Sequence, residues 1–174
     1  MIYALTIHKE GGGLMMTIVS DVGVSLPFLG TKNTAIISFK GIWDTGATGS
    51  VITKNVVEAL QLKPTGQKLV NHAQGSGMTN TYIVNLALPM NIMVPNITVT
   101  EGKLPGGVDL LIGMDIITLG DFSITNKDKN TVMTFRIPSI ECHDFIPHAN
   151  NSNKFEKERL AGEANRVNKK KNKK

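Results

Sequence analysis

The chain has 174 residues, 41% of them hydrophobic, which is enough for one compact domain with its own core. Aromatic residues make up only 5%, whereas Val, Ile and Thr recur in short runs broken by Gly, Pro and Asn, a pattern that favours strands. No apolar run approaches the ~20 residues needed to cross a bilayer, and a single cysteine excludes an intramolecular disulfide. We therefore expect a mostly β protein in the cytoplasm, without membrane insertion.

Positive charge is concentrated at the C-terminal end of the chain. The net charge is +5, but residues 1–153 carry 10 Lys and Arg against 11 Asp and Glu, whereas residues 154–174 carry 9 against 3. Such a basic block predicts a solvated, disordered tail, with weak nucleic-acid contact as the alternative. We expect an N-terminal extension over 1–21, a folded domain over 22–140 and the tail over 141–174.

The first third of the chain predicts strands followed by one short helix. Three glycines at 11–13 separate the first two apolar segments and predict a hairpin. Thr53 is placed to cap an amphipathic helix over 54–62. The predicted strands are 2–7, 14–20, 22–28 and 34–43.

A long hairpin and a further strand are predicted in the middle of the chain. Residues 67–71 and 79–88 are strand-like arms on either side of Gly75-Ser76-Gly77, which would form a flexible glycine tip. Residues 92–100 predict the next strand.

The last part of the domain predicts a buried strand, a single helical turn and a closing pair of strands. Residues 109–112 have the buried-strand pattern, and Asp115 is placed to cap a turn at 116–119. Beyond residue 138 only a fluctuating helix between 154 and 167 is expected. The closing strands are predicted at 121–125 and 131–137.

The chemically informative segment delivers one carboxylate to a tight turn. Asp44-Thr45-Gly46-Ala47 follows an apolar strand, and a second apolar strand begins at once with Ser50-Val51-Ile52. Burial of an aspartate at such a turn is costly unless its carboxylate is hydrogen-bonded or paired.

This segment resembles the active-site turn of the retropepsins, the retroviral-type aspartic proteases. Leu111-Ile112-Gly113 resembles the apolar-apolar-Gly segment that packs beside that turn in the family, and the glycine-tipped hairpin lies between the two in the expected order. The resemblance covers about residues 22–125. It implies a closed β-barrel, one half of an acid protease, with one or two short helices and a flap hairpin.

The resemblance also implies the residues of the site. Asp44, Thr45 and Gly46 would be catalytic: Asp44 as the reacting carboxylate, Thr45 bonding across a dimer axis and Gly46 supporting the carboxylate with its amide. Because the chain carries one Asp-Thr-Gly, the second carboxylate would come from a second copy, giving a homodimer without metal or cofactor. The predicted substrate-binding residues are Ala47, Gly75, Ser76, Gly77, Leu111, Ile112 and Gly113.

One position departs from the family pattern. Met114 stands where retroviral members usually carry an arginine that braces the dimer, and Asp115 beside it is expected to cap a helix rather than to react. Trp43 is expected to be a core or site-wall residue. His72 and Cys142 lack the neighbours that a metal site or a nucleophilic cysteine would need.

Two classes of function follow from these observations. The first is an aspartic endopeptidase that cleaves an extended peptide or a polyprotein. The second is a protein without activity: a dimer that keeps the fold to bind peptides, or a module that docks on nucleic acid through 154–174. The intact Asp-Thr-Gly favours the enzyme, because a pure binder has no need of two facing carboxylates whose burial costs stability.

Overall fold

The computed structural model describes residues 1–27, 35–72 and 75–171. It divides into two compact units, Met1–Ile140 and Glu141–Lys174. The strands of the first unit are β1 (Tyr3–His8), β2 (Val19–Ser25), β3 (Ile37–Trp43), β4 (Val51–Ile52), β5 (Gly66–His72), β6 (Gly75–Leu88), β7 (Ile92–Glu101), β8 (Leu110–Ile112), β9 (Asp121–Thr125) and β10 (Val132–Ile137). Its helices are α1 (Lys54–Ala59), α2 (Met114–Ile117) and a 3₁₀ turn (Lys127–Lys129).

Six strands of the first unit close into a barrel. Their order is β2-β3-β8-β4-β7-β6, and antiparallel pairing between β2 and β6 completes the ring. Strand β5 extends β6 as one arm of a hairpin, and β1, β10 and β9 form a separate antiparallel sheet. The expected mostly β fold with a closed barrel and two short helices is confirmed.

Alternation of apolar and polar residues along the strands places the core inside this barrel. In β2, Val22 and Val24 are completely buried whereas Asp21 between the strand's inner residues is exposed. Strand β8 is short, but Leu110 and Ile112 are both buried because neighbouring strands cover it on two sides. The sequence pattern at 109–112 predicted this strand correctly.

The predicted N-terminal hairpin is wrong. Strand β1 pairs with β10, over a hundred residues away, and β2 pairs instead with β3 and β6. The glycine loop does turn, since the Gly12 amide donates to the Lys9 carbonyl, but it then joins the 126–131 loop through a bond from the Thr131 amide to the Gly13 carbonyl. In this arrangement Leu5 lies opposite Phe135 in the sheet and is buried in the core.

The second unit contains the helix α3 (Phe145–Lys171), and the helix expected between 154 and 167 lies within it. Arg159 donates to Glu156 one turn before it and to Glu163 one turn after it, which are the spacings that stabilise an exposed helix. Each such pair contributes only about 0.2–0.5 kcal/mol. The tail predicted to be disordered is helical over Phe145–Lys171, and this helix is longer than the sequence predicted. Among the described residues, no helix is both long enough and apolar enough to span a membrane.

Candidate active site

The turn that carries Asp44 is fixed by backbone hydrogen bonds to neighbouring strands. The Asp44 amide donates to the carbonyl of Ile112 (3.0 Å), and the Ala47 amide donates to the carbonyl of Asp44 (3.3 Å). The Gly46 amide donates to Asp44 Oδ1 (2.8 Å). Asp44 is half-buried, whereas Thr45 is exposed. The turn therefore presents one oriented carboxylate at the surface of the unit.

The strands on either side of the turn enclose β8 between them. Strand β3 pairs with β8 in parallel, and β4 pairs with the opposite edge of β8 in antiparallel fashion. Gly113, directly after β8, lies so close to the turn that a Cβ atom would come within 2.7 Å of the Gly49 carbonyl carbon. The Met114 amide donates to the Ala47 carbonyl across this contact (2.8 Å). The predicted partnership of the two motifs is thus present in the structure.

Asp115 binds the turn directly, and the prediction that it caps a helix is wrong. The helix α2 has Gly113 at its N-cap position, and Asp115 lies within the first turn. Its carboxylate accepts from the Ser50 amide (2.9 Å) and from the Ser50 hydroxyl (2.7 Å). The same hydroxyl accepts from the buried Gly113 amide (3.1 Å). Ser50 is almost completely buried, so this network supplies the partners that its polar atoms need.

Thr53 likewise occupies the N-cap position of α1 without capping it through its side chain. Its hydroxyl donates instead to Asp109 Oδ1 (2.8 Å), the residue that precedes β8. The sequence pattern located the helix start correctly but not this long-range partner.

Trp43 is a core residue, as predicted. Its ring stacks on Phe122 and contacts Phe135 at a centroid distance of 5.4 Å, and its indole N–H donates to the Ser20 hydroxyl (3.1 Å). The side chain that immediately precedes Asp44 is therefore held by packing on one side and by a hydrogen bond on the other.

The hairpin of β5 and β6 stands beside the turn. Its register pairs Val70 with Gly77 and ends at His72 opposite Gly75. The predicted hairpin is confirmed, but the predicted tip is misplaced, because Gly75, Ser76 and Gly77 belong to β6. The two residues between the strands lie outside the described residues.

Two neighbouring clefts lie between the hairpin, the turn and the end of β7. The first, of about 830 Å³, contains Asp44, Gly46 and Ala47; the second, of about 670 Å³, contains Gly77 and Leu111. The remaining predicted residues do not line either cleft: Thr45 is exposed beside them, and Ile112 and Gly113 are buried beneath the turn. The clefts share Val51, Val70 and Thr100.

Several cleft residues were not predicted from the sequence. Thr100 and Glu101 end β7, which pairs with β4 in parallel so that Thr100 lies opposite Val51. Lys68 of the hairpin lines the first cleft. No local motif marks Thr100 and Glu101, because the parallel pairing of β7 with the distant strand β4 brings them to the site.

Glu101 has a buried phenol as its partner. The Tyr82 hydroxyl donates to Glu101 Oε2 (2.8 Å), and Tyr82 is only 2% exposed. Burial raises the pKa of the Tyr82 phenol above its ordinary value, and the neighbouring Glu101 carboxylate raises it further. The phenol therefore stays a hydrogen-bond donor to this carboxylate.

No set of three or more His, Cys, Asp or Glu side chains with metal-binding geometry occurs within 1–27, 35–72 or 75–171.

The barrel and the Asp-Thr-Gly turn define a retropepsin-like fold. Residues 34–118 match the family model described as gag-polyprotein putative aspartyl protease. This match confirms the resemblance of the chain to the retropepsin-like aspartic protease family. No match was found among the curated proteins.

Solved structures of three similar proteins match the chain. A retropepsin-like aspartic protease from Rickettsia conorii has 15% identity and a TM-score of 0.47, covering 79% of this chain and 94% of its own. The simian foamy virus protease has 16% identity and a TM-score of 0.38, and the match covers 56% of this chain and 91% of the viral protease chain. The retroviral protease-like domain of Ddi1 from Leishmania major has 16% identity and a TM-score of 0.36, and the match covers 64% of this chain and 90% of the Ddi1 chain.

Proposed function

We propose that the protein is an aspartic endopeptidase that works as a homodimer, each copy supplying one Asp44 carboxylate. The observation that carries the proposal is the orientation of Asp44. Its Oδ1 accepts from the Gly46 amide while its side chain opens into a cleft beside a β-hairpin. Within the described part of the chain, Asp44 Oδ2 accepts no hydrogen bond, so this oxygen is free for a water molecule or a second carboxylate.

The chemistry follows from two facing carboxylates. At hydrogen-bonding distance the two groups cannot both ionise cheaply and therefore share one proton, as in aspartic proteases generally. The ionised carboxylate accepts a proton from a water molecule, which attacks the peptide carbonyl carbon. The protonated carboxylate donates a hydrogen bond to the carbonyl oxygen, and a proton then passes to the leaving nitrogen as the C–N bond breaks.

Dimerisation is supported by the exposure of the residue next to Asp44. The Thr45 side chain is exposed and makes no hydrogen bond to any other described residue. In a twofold dimer its hydroxyl would lie near the axis and could bond to the partner's turn, which fits an isologous contact. The chain carries one Asp-Thr-Gly motif and so supplies one catalytic carboxylate, which means that a single copy would be inactive.

The substrate would be an extended peptide segment or a polyprotein. The inner face of the hairpin carries Val70 beside the first cleft, and a peptide lying between this strand and the Asp44 turn could add to it as a further strand. In this proposal β5 and β6 form the flap over the substrate, with Gly75, Ser76 and Gly77 on its second strand.

The decisive experiment compares Asp44→Asn with the parent protein. A diverse peptide mixture is incubated with each protein from acidic to neutral pH, and products are read by mass spectrometry. We expect the variant to lose about 10²–10⁴-fold of the cleavage rate, since it cannot act as the general base. Asp21→Asn is the matched control, because Asp21 is exposed and pairs with Lys40 on the barrel surface.

The outcomes separate the proposal from its rivals. Equal cleavage by Asp44→Asn and the parent would overturn the assignment of Asp44. No cleavage by either protein, with peptide binding retained, would favour a peptide-binding dimer. Sedimentation at several protein concentrations tests the dimer independently of activity, and salt-dependent binding of an oligonucleotide would reveal a role of 154–174 in nucleic-acid docking.

A further inference from the structure

The second cleft contains a carboxylate in a fixed position. Glu101 lines this cleft, and its Oε2 atom accepts from Tyr82, whose buried ring restricts the movement of the hydroxyl. The Glu101 carbonyl also accepts from the Thr79 hydroxyl on the facing strand (2.7 Å), which holds the backbone at this point. The negative charge is therefore held in place rather than free to rotate into solvent.

The second oxygen of this carboxylate is available to a ligand. Across the described residues, nothing donates a hydrogen bond to Glu101 Oε1, and no Lys or Arg forms an ion pair with Glu101. Lys103 lines the same cleft and is exposed, and it forms no ion pair with Glu101 within the described residues. A carboxylate with an open acceptor position in a partly desolvated cleft favours a cationic partner.

Apolar side chains form the walls of this cleft. Val51, Val70, Leu104 and Leu111 line it, and Gly77 opposite Val70 leaves open space, since a Cβ atom there would contact nothing within 4 Å. Lysine and arginine match such a cleft, because their aliphatic stems pack on apolar surface while the charged end reaches a polar group.

The cleft also lies next to the proposed reaction centre. It shares Val51, Val70 and Thr100 with the cleft that contains Asp44, so a peptide bound across the turn would place a neighbouring side chain in it. Alternate residues of an extended peptide point to the same side, which is how such pockets determine specificity.

We infer that this second cleft is a specificity pocket for a lysine or arginine side chain of an extended peptide, and that Glu101 binds the cationic end. The inference rests on the proposed function in taking the cleft beside Asp44 as the place where the peptide lies. Glu101 is a specificity residue in this view, and Tyr82 positions it.

Binding to the Asp44→Asn protein tests the inference without requiring cleavage. Fluorescent peptide sets, with each position fixed in turn as arginine, lysine, citrulline, norleucine or glutamate, are titrated and followed by anisotropy. We expect one position at which arginine or lysine binds about fivefold more tightly than citrulline or norleucine, the ratio given by an ion pair of about 1 kcal/mol. Adding Glu101→Gln should bring this ratio to about one, while the glutamine oxygen can still accept from Tyr82.

The matched control is Glu58→Gln, the same chemical change on the exposed face of α1, where Glu58 pairs with Lys54. This control should leave the fivefold ratio unchanged. The inference is overturned if no position prefers a cation, if the preference survives Glu101→Gln, if glutamate binds best, or if no peptide binds at all.

Cleavage of the same peptides by the parent protein separates this inference from the proposed function. Absence of cleavage with the cationic preference intact would count against the peptidase and support the pocket. Cleavage that depends on Asp44 but shows no dependence on Glu101 would support the peptidase and overturn the pocket.

Discussion

Asp115 is expected to be one of the main stabilising residues of the active-site turn. Its carboxylate accepts from both the amide and the hydroxyl of Ser50, and that hydroxyl accepts from the Gly113 amide. Removing the carboxylate by Asp115→Ala leaves the buried Ser50 amide and the hydroxyl proton without these acceptors. The turn would then have to rearrange or tolerate unsatisfied polar groups.

The size of the effect follows from the two lost hydrogen bonds. Each hydrogen bond to a charged group contributes about 1.5–3 kcal/mol, and the two share one carboxylate, so their effects do not add fully. Because Asp115 is only half-buried, water can replace part of the loss. We expect Asp115→Ala to lower the free energy of unfolding by about 2–4 kcal/mol.

Asp115→Asn is a sharper test of the same network. An asparagine has one acceptor oxygen, whereas Asp115 uses two. If the asparagine NH₂ group faces the Ser50 backbone N–H, two donors oppose each other. If it faces the Ser50 hydroxyl instead, the hydroxyl proton loses its acceptor. We expect a loss of about 1–2 kcal/mol. If Asp115 only capped a helix through the dipole, the loss would be well under 1 kcal/mol.

Urea unfolding at one fixed protein concentration measures these losses, since a dimer makes stability concentration-dependent. Ser50→Ala and the double variant complete a cycle, in which we expect a coupling of about 1–2 kcal/mol between the two side chains. Asp128→Asn, on an exposed loop in a left-handed conformation that asparagine also adopts, is the control and should change stability by less than about 0.5 kcal/mol. Coupling near zero, or an Asp115→Ala protein as stable as this control, would refute the reasoning.

Gly113→Ala should prevent the turn from packing, because its Cβ would lie 2.7 Å from the carbonyl carbon of Gly49 and only backbone movement can relieve that contact. We expect the free energy of unfolding, measured in urea, to fall by about 2 kcal/mol or more. A fall below about 0.5 kcal/mol would contradict the close approach of Gly113 to Gly49. Tyr82→Phe should be less stable than the parent by about 1.5 kcal/mol near neutral pH, because the bond to Glu101 is lost. Since the pKa of the Tyr82 phenol is raised above its ordinary value of 10.0 in the folded protein, its stabilising effect is complete below pH 10.0 and is lost as the pH rises through the raised pKa. Thermal unfolding of the parent protein and of Tyr82→Phe is measured from neutral to strongly alkaline pH. The stability difference between these two proteins should narrow as the pH rises, and a constant difference would contradict the prediction.

Local patterns sufficed where the relevant interactions are close in sequence. The helix start at Lys54, the strand before Gly113, and the two arms of the hairpin all follow from short-range alternation, turn residues and capping positions. The predicted hairpin tip was wrong because Gly75 and Gly77 are residues typical of turns. The strand pairing instead continues through them to His72 opposite Gly75.

Long-range pairing explains what local patterns could not predict. The local pattern pairs β1 with the next segment across the glycine loop, yet its partner is β10, and Leu5 is buried in that arrangement. Asp115 has the residue type and position of a helix cap, but Ser50, sixty-five residues earlier, lies within hydrogen-bonding distance. Such partners become neighbours only when the barrel closes.

The sequence by itself determined the mostly β class and the Asp44 turn with its glycine partner, because these depend on residue type and local conformation. Only the tertiary structure decided which side chains surround that turn. Glu101 reaches the cleft because β4 and β7 pair in parallel, and a parallel pair joins segments whose separation in sequence leaves no local pattern.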